Sequence, residues 1–262
     1  MDSHGQHQAK EEAKGGAGNG HQGHGGTEQT KPSEAVQAAW TFAEGKQPQA
    51  NQDTLIRIAI RLGEKPVEKF DITHEQKQHL IIVSKDLSQF RHVHPDDRGG
   101  GVFEWTERFL AGGEYKLFAD FVPSGGSAVT LTKWVNVAGE AAKPVPIQPD
   151  ASLTKSVGGK EIALAFDRLV PNQEVTLTFT IRDDRTKKPV TNLQPYLGAV
   201  GHVVILSEDA EQYLHVHPME ERATGPDARF QTSFPHSGIY KIWGQFKHED
   251  KVITVPFVVK VP

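Results

Sequence analysis

Short apolar runs separated by turn residues make up nearly all of the chain from Ser33 onward. The runs are rich in Val, Ile, Thr and aromatic residues, which is the pattern of β-strands joined by turns. Seven strands are predicted in the first half, over residues 36–42, 54–61, 79–84, 89–94, 103–109, 114–121 and 129–137. Seven more are predicted in the second half, over residues 161–166, 174–182, 202–207, 212–217, 228–234, 239–246 and 252–261. The pattern therefore predicts an all-β fold of two tandem immunoglobulin-like β-sandwich domains.

A tandem repeat relates the two sets of strands. Residues 79–95 read HLIIVSKDLSQFRHVHP, and residues 202–218 read HVVILSEDAEQYLHVHP. Outside this segment, Lys65-Pro66-Val67 matches Lys188-Pro189-Val190, and the Gly-x-Tyr sequence that begins at Gly113 recurs at Gly238. We therefore expect duplication of one domain of roughly 100 residues.

Composition separates a tail and a linker from the two repeats. Residues 1–32 are rich in Gly, Gln, Lys, Glu and His and nearly free of apolar residues, so they are predicted to be disordered. The repeats then occupy residues 33–138 and 160–262, and the Pro- and Gly-containing residues 139–159 are the predicted linker. Glycine-spaced histidines in the tail favour either loose metal binding or a solvated spacer; they are His4, His7, His21 and His24.

Each repeat keeps three histidines at the same internal offsets, which is the main indication of function. His79, His92 and His94 in the first repeat correspond to His202, His215 and His217 in the second. Imidazole is the commonest protein ligand for metals such as zinc and copper. Two conserved triplets within one chain therefore predict two metal sites, one in each repeat.

Strand geometry allows each triplet to converge on one ion. His92 and His94 share one face of their strand, because side chains alternate across a strand. If Ser84 pairs with Gln89 in an antiparallel hairpin, His79 lies opposite His94 and diagonal to His92, within about 7 Å. A slip of one residue would turn His79 to the other face, so the predicted site depends on this register.

Charge and composition exclude several other classes of protein. The formal net charge is −4 and no basic stripe is present, so nothing indicates nucleic-acid binding. The absence of cysteine excludes disulfides, thiolate metal sites and a blue-copper centre. No apolar stretch reaches the roughly 20 residues of a transmembrane helix. The N-terminus lacks the features of a signal peptide, which leaves a cytoplasmic protein or a mature exported form, and we favour the second.

The segment from Asn51-Gln52 to Arg61, the His-x-His-Pro hairpins and the Gly-x-Tyr strands resemble the extracytoplasmic immunoglobulin-like domains of the YtkA-like group. That resemblance spans both repeats and implies a role in bacterial copper handling or oxidase assembly. Copper(I) domains of this kind tend to use methionine, whereas this chain has only Met1 and Met219. Imidazole ligands therefore favour copper(II) or zinc as the bound ion.

The predicted function is an extracytoplasmic copper or zinc buffer or chaperone that exchanges metal with a membrane protein, and the polar tail favours tethering as a lipoprotein. The protein is not expected to be an enzyme. One alternative is an interaction or adhesion module in which the histidines are structural. A less favoured alternative is a zinc hydrolase with a three-histidine site, which would need a general base and an enclosed pocket. Acidic or thioether groups beside the triplets are candidate fourth ligands or partners of the ligands; they are Asp96, Asp97, Met219, Glu220 and Glu221.

Overall fold

The computed structural model describes residues 35–262, whose regular secondary structure consists of antiparallel strands apart from one 3-10 turn at Ala43–Gly45. The first repeat contains β1 (Val36–Phe42), β2 (Asp53–Leu62), β3 (Lys65–Pro66), β4 (Phe70–Asp71), β5 (Gln78–Ser84), β6 (Phe90–Val93), β7 (Asp96–Gly99), β8 (Val102–Arg108), β9 (Gly113–Pro123) and β10 (Val129–Val137). The second repeat contains β11 (Thr154–Val157), β12 (Lys160–Phe166), β13 (Glu174–Asp183), β14 (His202–Ser207), β15 (Tyr213–Leu214), β16 (His217–Pro218), β17 (Asp227–Ser233), β18 (Gly238–His248) and β19 (Lys251–Val261). The tail that was predicted to be disordered lies outside the described residues.

Two sheets form the first sandwich. One has the strand order β1-β2-β8-β7 with β3 beside β2, and the other has the order β10-β9-β5-β6 with β4 beside β9. Burial alternates along β2, where Ile56, Ile58 and Ile60 point inward. These side chains meet Leu80 and Phe103 in one apolar core, as expected for two half-buried sheets packed face to face.

The second sandwich repeats this plan with the sheets β11-β12-β13-β17-β16 and β15-β14-β18-β19. Its core combines aliphatic side chains with a group of packed aromatic rings, among them Phe179, Phe230 and Phe246. Strand β11 lies inside the segment predicted as a linker. Gly158 and Gly159, with φ of +59° and +75°, form the two-residue turn between β11 and β12. Paired positive φ angles are what such a hairpin turn requires, so this glycine pair belongs to the second sandwich.

The predicted fold class is confirmed: the described chain is a tandem pair of antiparallel β-sandwiches. Each of the fourteen predicted strands has a counterpart, but the strand predicted over residues 212–217 is divided into β15 and β16. The unpredicted strands, β3, β4, β7 and β11, have two to four residues each, too few to show a clear period.

Strand β5 is buried on both faces, which is unusual for a sandwich strand with one face in its own core. Its outward face carries Ile81 and Val83, which pack with Phe118 against Val204 and Trp243 of the second repeat. Strand β14 is likewise almost wholly buried. The continuous apolar runs in β5 and β14 therefore reflect a second, inter-repeat core, and both repeats belong to one compact unit, Ala35–Pro262.

Equivalent surfaces of the two repeats form this interface. Phe90 stacks on Trp243 with ring centroids 4.5 Å apart, and the matching pair, Tyr213 on Phe118, lies 5.7 Å apart. Lys116 forms an ion pair of 2.8 Å with Glu211, while the equivalent Lys241 donates to the backbone oxygen of Leu87. The repeats thus meet through the same face, in the manner of a two-fold dimer within one chain. No helix in residues 35–262 is long and apolar enough to cross a membrane.

Candidate metal centre

The hairpin of β5 and β6 has the register on which the predicted site depends. Leu80 pairs with Val93, Ile81 pairs with His92, and the backbone N–H of Ser84 donates to the oxygen of Gln89 at 3.2 Å. Continued by two residues, this register places His79 beside His94. The predicted pairing is therefore confirmed, and the histidines lie on the face that meets the second repeat.

The structure brings the first triplet together. One ring nitrogen from each of His79, His92 and His94 lies within 4.8 Å of the other two. The ring centroids are 5.3 Å apart for His79 and His92, 5.0 Å for His79 and His94, and 4.9 Å for His92 and His94. Among the residues that the structure describes, this is the one group of three or more His, Asp or Glu side chains arranged to hold a metal.

Hydrogen bonds at the periphery fix the orientation of two of these rings. The backbone oxygen of Thr73 can only accept, so Nε2–H of His79 donates to it at 2.9 Å. On the other side, Nδ1–H of His92 donates to Oε1 of Gln245 at 2.7 Å, and Nε2 of Gln245 donates to Oγ1 of Thr254 at 3.2 Å. In the neutral rings, Nδ1 of His79 and Nε2 of His92 then both carry lone pairs, and these two atoms are 3.0 Å apart.

The third ring adds another unpaired nitrogen. Nε2 of His94 is buried and has no hydrogen-bond partner among the described residues. A buried polar atom without a partner loses its hydration without compensation. The triplet thus places lone pairs on Nδ1 of His79 and Nε2 of His92 close together, beside a third ring with an unpaired nitrogen.

Burial also keeps the rings neutral. It lowers the pKa of His79 to about 4, although the hydrogen bond to Thr73 acts in the opposite direction. It lowers the pKa of His92 to about 3, against the opposing effect of the bond to Gln245. The pKa of His94 is lowered by burial as well. Neutral imidazole is the form that binds a metal, so the rings are held in their ligand state at neutral pH.

Two further histidines border the triplet. His202 of the second repeat is buried, and its ring lies 4.7 Å from His92 and stacks on His79 at 5.7 Å with an interplanar angle of 7°. His74, in the turn before β5, lies 5.9 Å from His79 and 5.3 Å from His202. His74 is half-buried. Because His74 has no counterpart in the second repeat, the repeat pattern could not identify it.

The second triplet is not assembled. Pairing of β15 with β14 ends at Leu214, and His217 pairs with Gln231 in the opposite sheet. Oγ1 of Thr232 donates to the backbone oxygen of His215, which holds the chain in this crossing. The side chains of His215 and His217 are exposed, whereas His202 lies at the first triplet. The expectation of one three-histidine site in each repeat is corrected to one cluster at the interface.

Other residues considered from the sequence have different roles. Asp96 and Asp97 form ion pairs with Arg98 and Lys77. His248 is buried, and its Nε2 lies 3.0 Å from Oδ1 of Asn192. The imidazole ring that lies nearest to the triplet is that of His202, 4.7 Å from His92, and it belongs to the other repeat. Spacing within one repeat could not reveal this contact.

These features define a class: two tandem immunoglobulin-like sandwiches joined face to face around a cluster of histidines. Residues 34–139 and 155–262 each match the family described as Domain of unknown function (DUF8832), and the chain belongs to that family. A search of curated proteins finds no significant match.

Solved structures resemble the chain at low sequence identity. FdeC, an Escherichia coli adhesin, is 12% identical with a TM-score of 0.30, over 88% of this chain and 65% of that chain. Invasin, a bacterial integrin-binding protein, is 12% identical with a TM-score of 0.25, over 86% of this chain and 39% of that chain. A two-domain fibronectin type III segment of chicken tenascin is 12% identical with a TM-score of 0.24, over 85% of this chain and 97% of that segment. This chain thus spans less than two thirds of FdeC and of invasin, and the functions of these proteins are not carried over to it.

Proposed function

We propose that this chain is a metal-binding protein that holds one copper(II) or zinc ion at His79, His92 and His94. The observation that carries the proposal is the convergence of three ring nitrogens in a triplet whose His94 has a buried Nε2 without a hydrogen-bond partner among the described residues. A metal ion at their centre would accept all three lone pairs at once. The histidines would then be ligands rather than supports of the fold.

A hydrogen-bonded arrangement without metal accounts for only part of this geometry. If the Gln245 amide were rotated by half a turn, Nε2–H of His92 could donate to Nδ1 of His79. That change would satisfy two rings but leave Nε2 of His94 unpaired. Protonation of one ring is opposed by the burial that lowers the pKa values of His79 and His92. A divalent cation bound by several ligands meets all of these requirements.

The spacing of the ligand atoms suits such an ion. With metal–nitrogen bonds near 2.0 Å, ligand nitrogens lie about 2.8 Å apart in a square-planar site and about 3.3 Å apart in a tetrahedral one. The distance of 3.0 Å between Nδ1 of His79 and Nε2 of His92 lies between these values. An all-imidazole set without thiolate favours copper(II) or zinc, with copper(II) ahead on intrinsic affinity.

The biological role that we propose is metal buffering or transfer outside the cytoplasm. The resemblance of the repeats to YtkA-like domains supports a copper-related, extracytoplasmic role, and the polar composition of residues 1–32 supports a lipid-anchored form. The glycine-spaced histidines of residues 1–32 would collect metal weakly, and a membrane protein would donate or receive it. Copper(II) and zinc are cargo in this role, so no catalytic step is assigned.

The proposal is tested by the metal content of the full-length protein. The tail histidines are first replaced by asparagine, so that only the folded part can retain metal; they are His4, His7, His21 and His24. After equilibration with equal copper(II) and zinc and extensive dialysis, mass spectrometry should find one equivalent of metal. The variant His92→Ala/His94→Ala should retain none, and His236→Ala, at an exposed position, should retain one.

Two results would contradict the proposal. Absence of retained metal would make the interaction-module function the better account. Retention of a full equivalent by His92→Ala/His94→Ala would place the ion elsewhere in the chain.

A further inference from the structure

The second repeat contributes two side chains to the surroundings of the triplet. Gln245, on β18, is 4% exposed and accepts the Nδ1–H hydrogen bond of His92. His202, on β14, pairs with Gln245 across the sheet and lies against His79 and His92. Neither residue belongs to the repeat that supplies the triplet.

His202 has the environment of a ligand. It is 9% exposed, and neither ring nitrogen forms a hydrogen bond within residues 35–262. Its neighbours are other imidazoles, among them His74, whose centroid is 5.3 Å away. In the metal-free protein this ring has no hydrogen bond to stabilise it. A shared cation would provide a bond to one of its nitrogens.

Gln245 has the role that outer residues commonly play at metal sites. An acceptor on one ring nitrogen of a histidine ligand fixes its tautomer and directs the other nitrogen to the metal. Here the acceptor on Nδ1 directs Nε2 of His92 toward His79. Nε2 of Gln245 donates to Oγ1 of Thr254, which anchors the amide group beside His92.

We propose that the ion is shared between the repeats, with His202 as its fourth ligand and Gln245 as a positioning residue for His92. This inference rests on the metal-binding function proposed above. The ligand nitrogens of the triplet lie within 4.8 Å of one another, and the His202 ring is 4.7 Å from the His92 ring and 5.7 Å from the His79 ring. His79 and His202 are equivalent residues of the two repeats, so the ion would lie close to the axis that relates them.

A shared ion has a consequence for the interface. Bound metal would connect β5 and β6 to β14, in addition to the apolar contacts of the inter-repeat core. Metal affinity would then depend on residues of the second repeat that are remote from the triplet in sequence. A site confined to the first repeat would show no such dependence.

The test compares zinc affinity and the cobalt(II) spectrum of full-length variants that carry the asparagine substitutions in the tail. Zinc affinity is measured by competition with a chelator, and the visible bands of cobalt(II) report its coordination number. We expect His202→Gln to weaken zinc binding at least tenfold and to change the cobalt(II) bands. Gln245→Leu should weaken zinc binding by about 10- to 100-fold without changing the number of ligands. The matched controls are His236→Gln and Gln212→Leu, both at exposed positions of the second repeat.

The outcomes separate this inference from the proposed function. If the parent binds one zinc ion and both His202→Gln and Gln245→Leu retain its affinity and spectrum, the shared site is wrong and the triplet alone holds the ion. If the parent binds no zinc, both proposals fail. Should His202→Gln not fold, Gln245→Leu decides the question, because unchanged affinity in that variant overturns the inference.

Discussion

The unpaired ring nitrogen of His94 distinguishes a ligand from a structural histidine. A structural histidine stabilises the fold through its hydrogen bonds, whereas the buried Nε2 of His94 has none among the described residues. Removing such an atom costs little in the metal-free protein, because its desolvation is already uncompensated.

His94→Leu should therefore leave the free energy of unfolding of the metal-free protein within about 1 kcal/mol of the parent. The same variant should bind zinc at least 100-fold more weakly. Urea unfolding in the presence of a chelator and zinc competition measure the two quantities. A large loss of stability with unchanged zinc affinity would identify His94 as a structural residue.

The lowered pKa values also predict how the stability of the metal-free protein depends on pH. An unfolded histidine titrates near pH 6.5, whereas His79 and His92 titrate at about 4 and about 3 in the folded protein. Between these values the unfolded state binds more protons, so stability is complete above about pH 6.5 and falls as the pH decreases through this window.

Urea unfolding between about pH 7.5 and pH 4.5 should show this decline in the presence of a chelator. His92→Gln should reduce its slope, while His236→Gln should not. An equal slope in the parent and in His92→Gln would show that His92 does not contribute to the pH dependence.

At the scale of the element, strand β5 carries His79, and its pairing with β6 positions the triplet. Its hydrophobic run predicts a strand, and the length of the following turn predicts its pairing with β6. The run does not show which partner covers its second face, because Ile81 and Ile82 are equally apolar. Only the structure shows Ile82 in the sandwich core and Ile81 in the inter-repeat core.

Ile81→Ala tests whether the outer face of β5 is buried in solution. Ile81 is 0% exposed because the second repeat covers it, so truncation should cost about 2 to 5 kcal/mol of unfolding free energy. Ile72→Ala, at a position that is 67% exposed, should change stability by less than about 0.5 kcal/mol. A similarly small effect of Ile81→Ala would mean that the repeats do not pack in this way.

Strands β6 and β15 show the limit of reasoning from a repeat. Their sequences share Val-His-Pro after a histidine, and both were predicted to continue through the second histidine of the pair. In the second repeat, Leu214 and Val216 are both buried in the sandwich core, and the chain crosses to β17 earlier. Arg91, the counterpart of Leu214, is exposed and lies 3.9 Å from Glu107. Packing preferences of single positions thus override the local similarity.

At the scale of the whole molecule, the triplet of the first repeat lies at the contact between the two repeats, beside His202. The duplication, the sandwiches and the first triplet can be predicted from the sequence, because each depends on local pattern and spacing. The contact between the repeats cannot, because the linker is compatible with several arrangements. The roles of Gln245 and His202 follow from that contact.

Trp243→Ala should weaken zinc binding although Trp243 does not belong to the cluster. Its ring stacks on Phe90, two residues before His92 on the same face of β6. We expect a loss of about 3 to 5 kcal/mol of stability and at least tenfold weaker zinc binding. Trp40→Ala, in the first sandwich and away from the interface, should lower stability but leave zinc affinity unchanged. Equal zinc affinity in Trp243→Ala and the parent would argue against coupling between the interface and the site.

The most direct measurement is anomalous X-ray diffraction at the zinc absorption edge from crystals of the zinc-loaded, full-length protein. The account predicts one strong peak at bonding distance from ring nitrogens of His79, His92 and His94, with His202 turned toward it. A peak confined to the exposed His215 and His217, or no peak among the described residues, would contradict it.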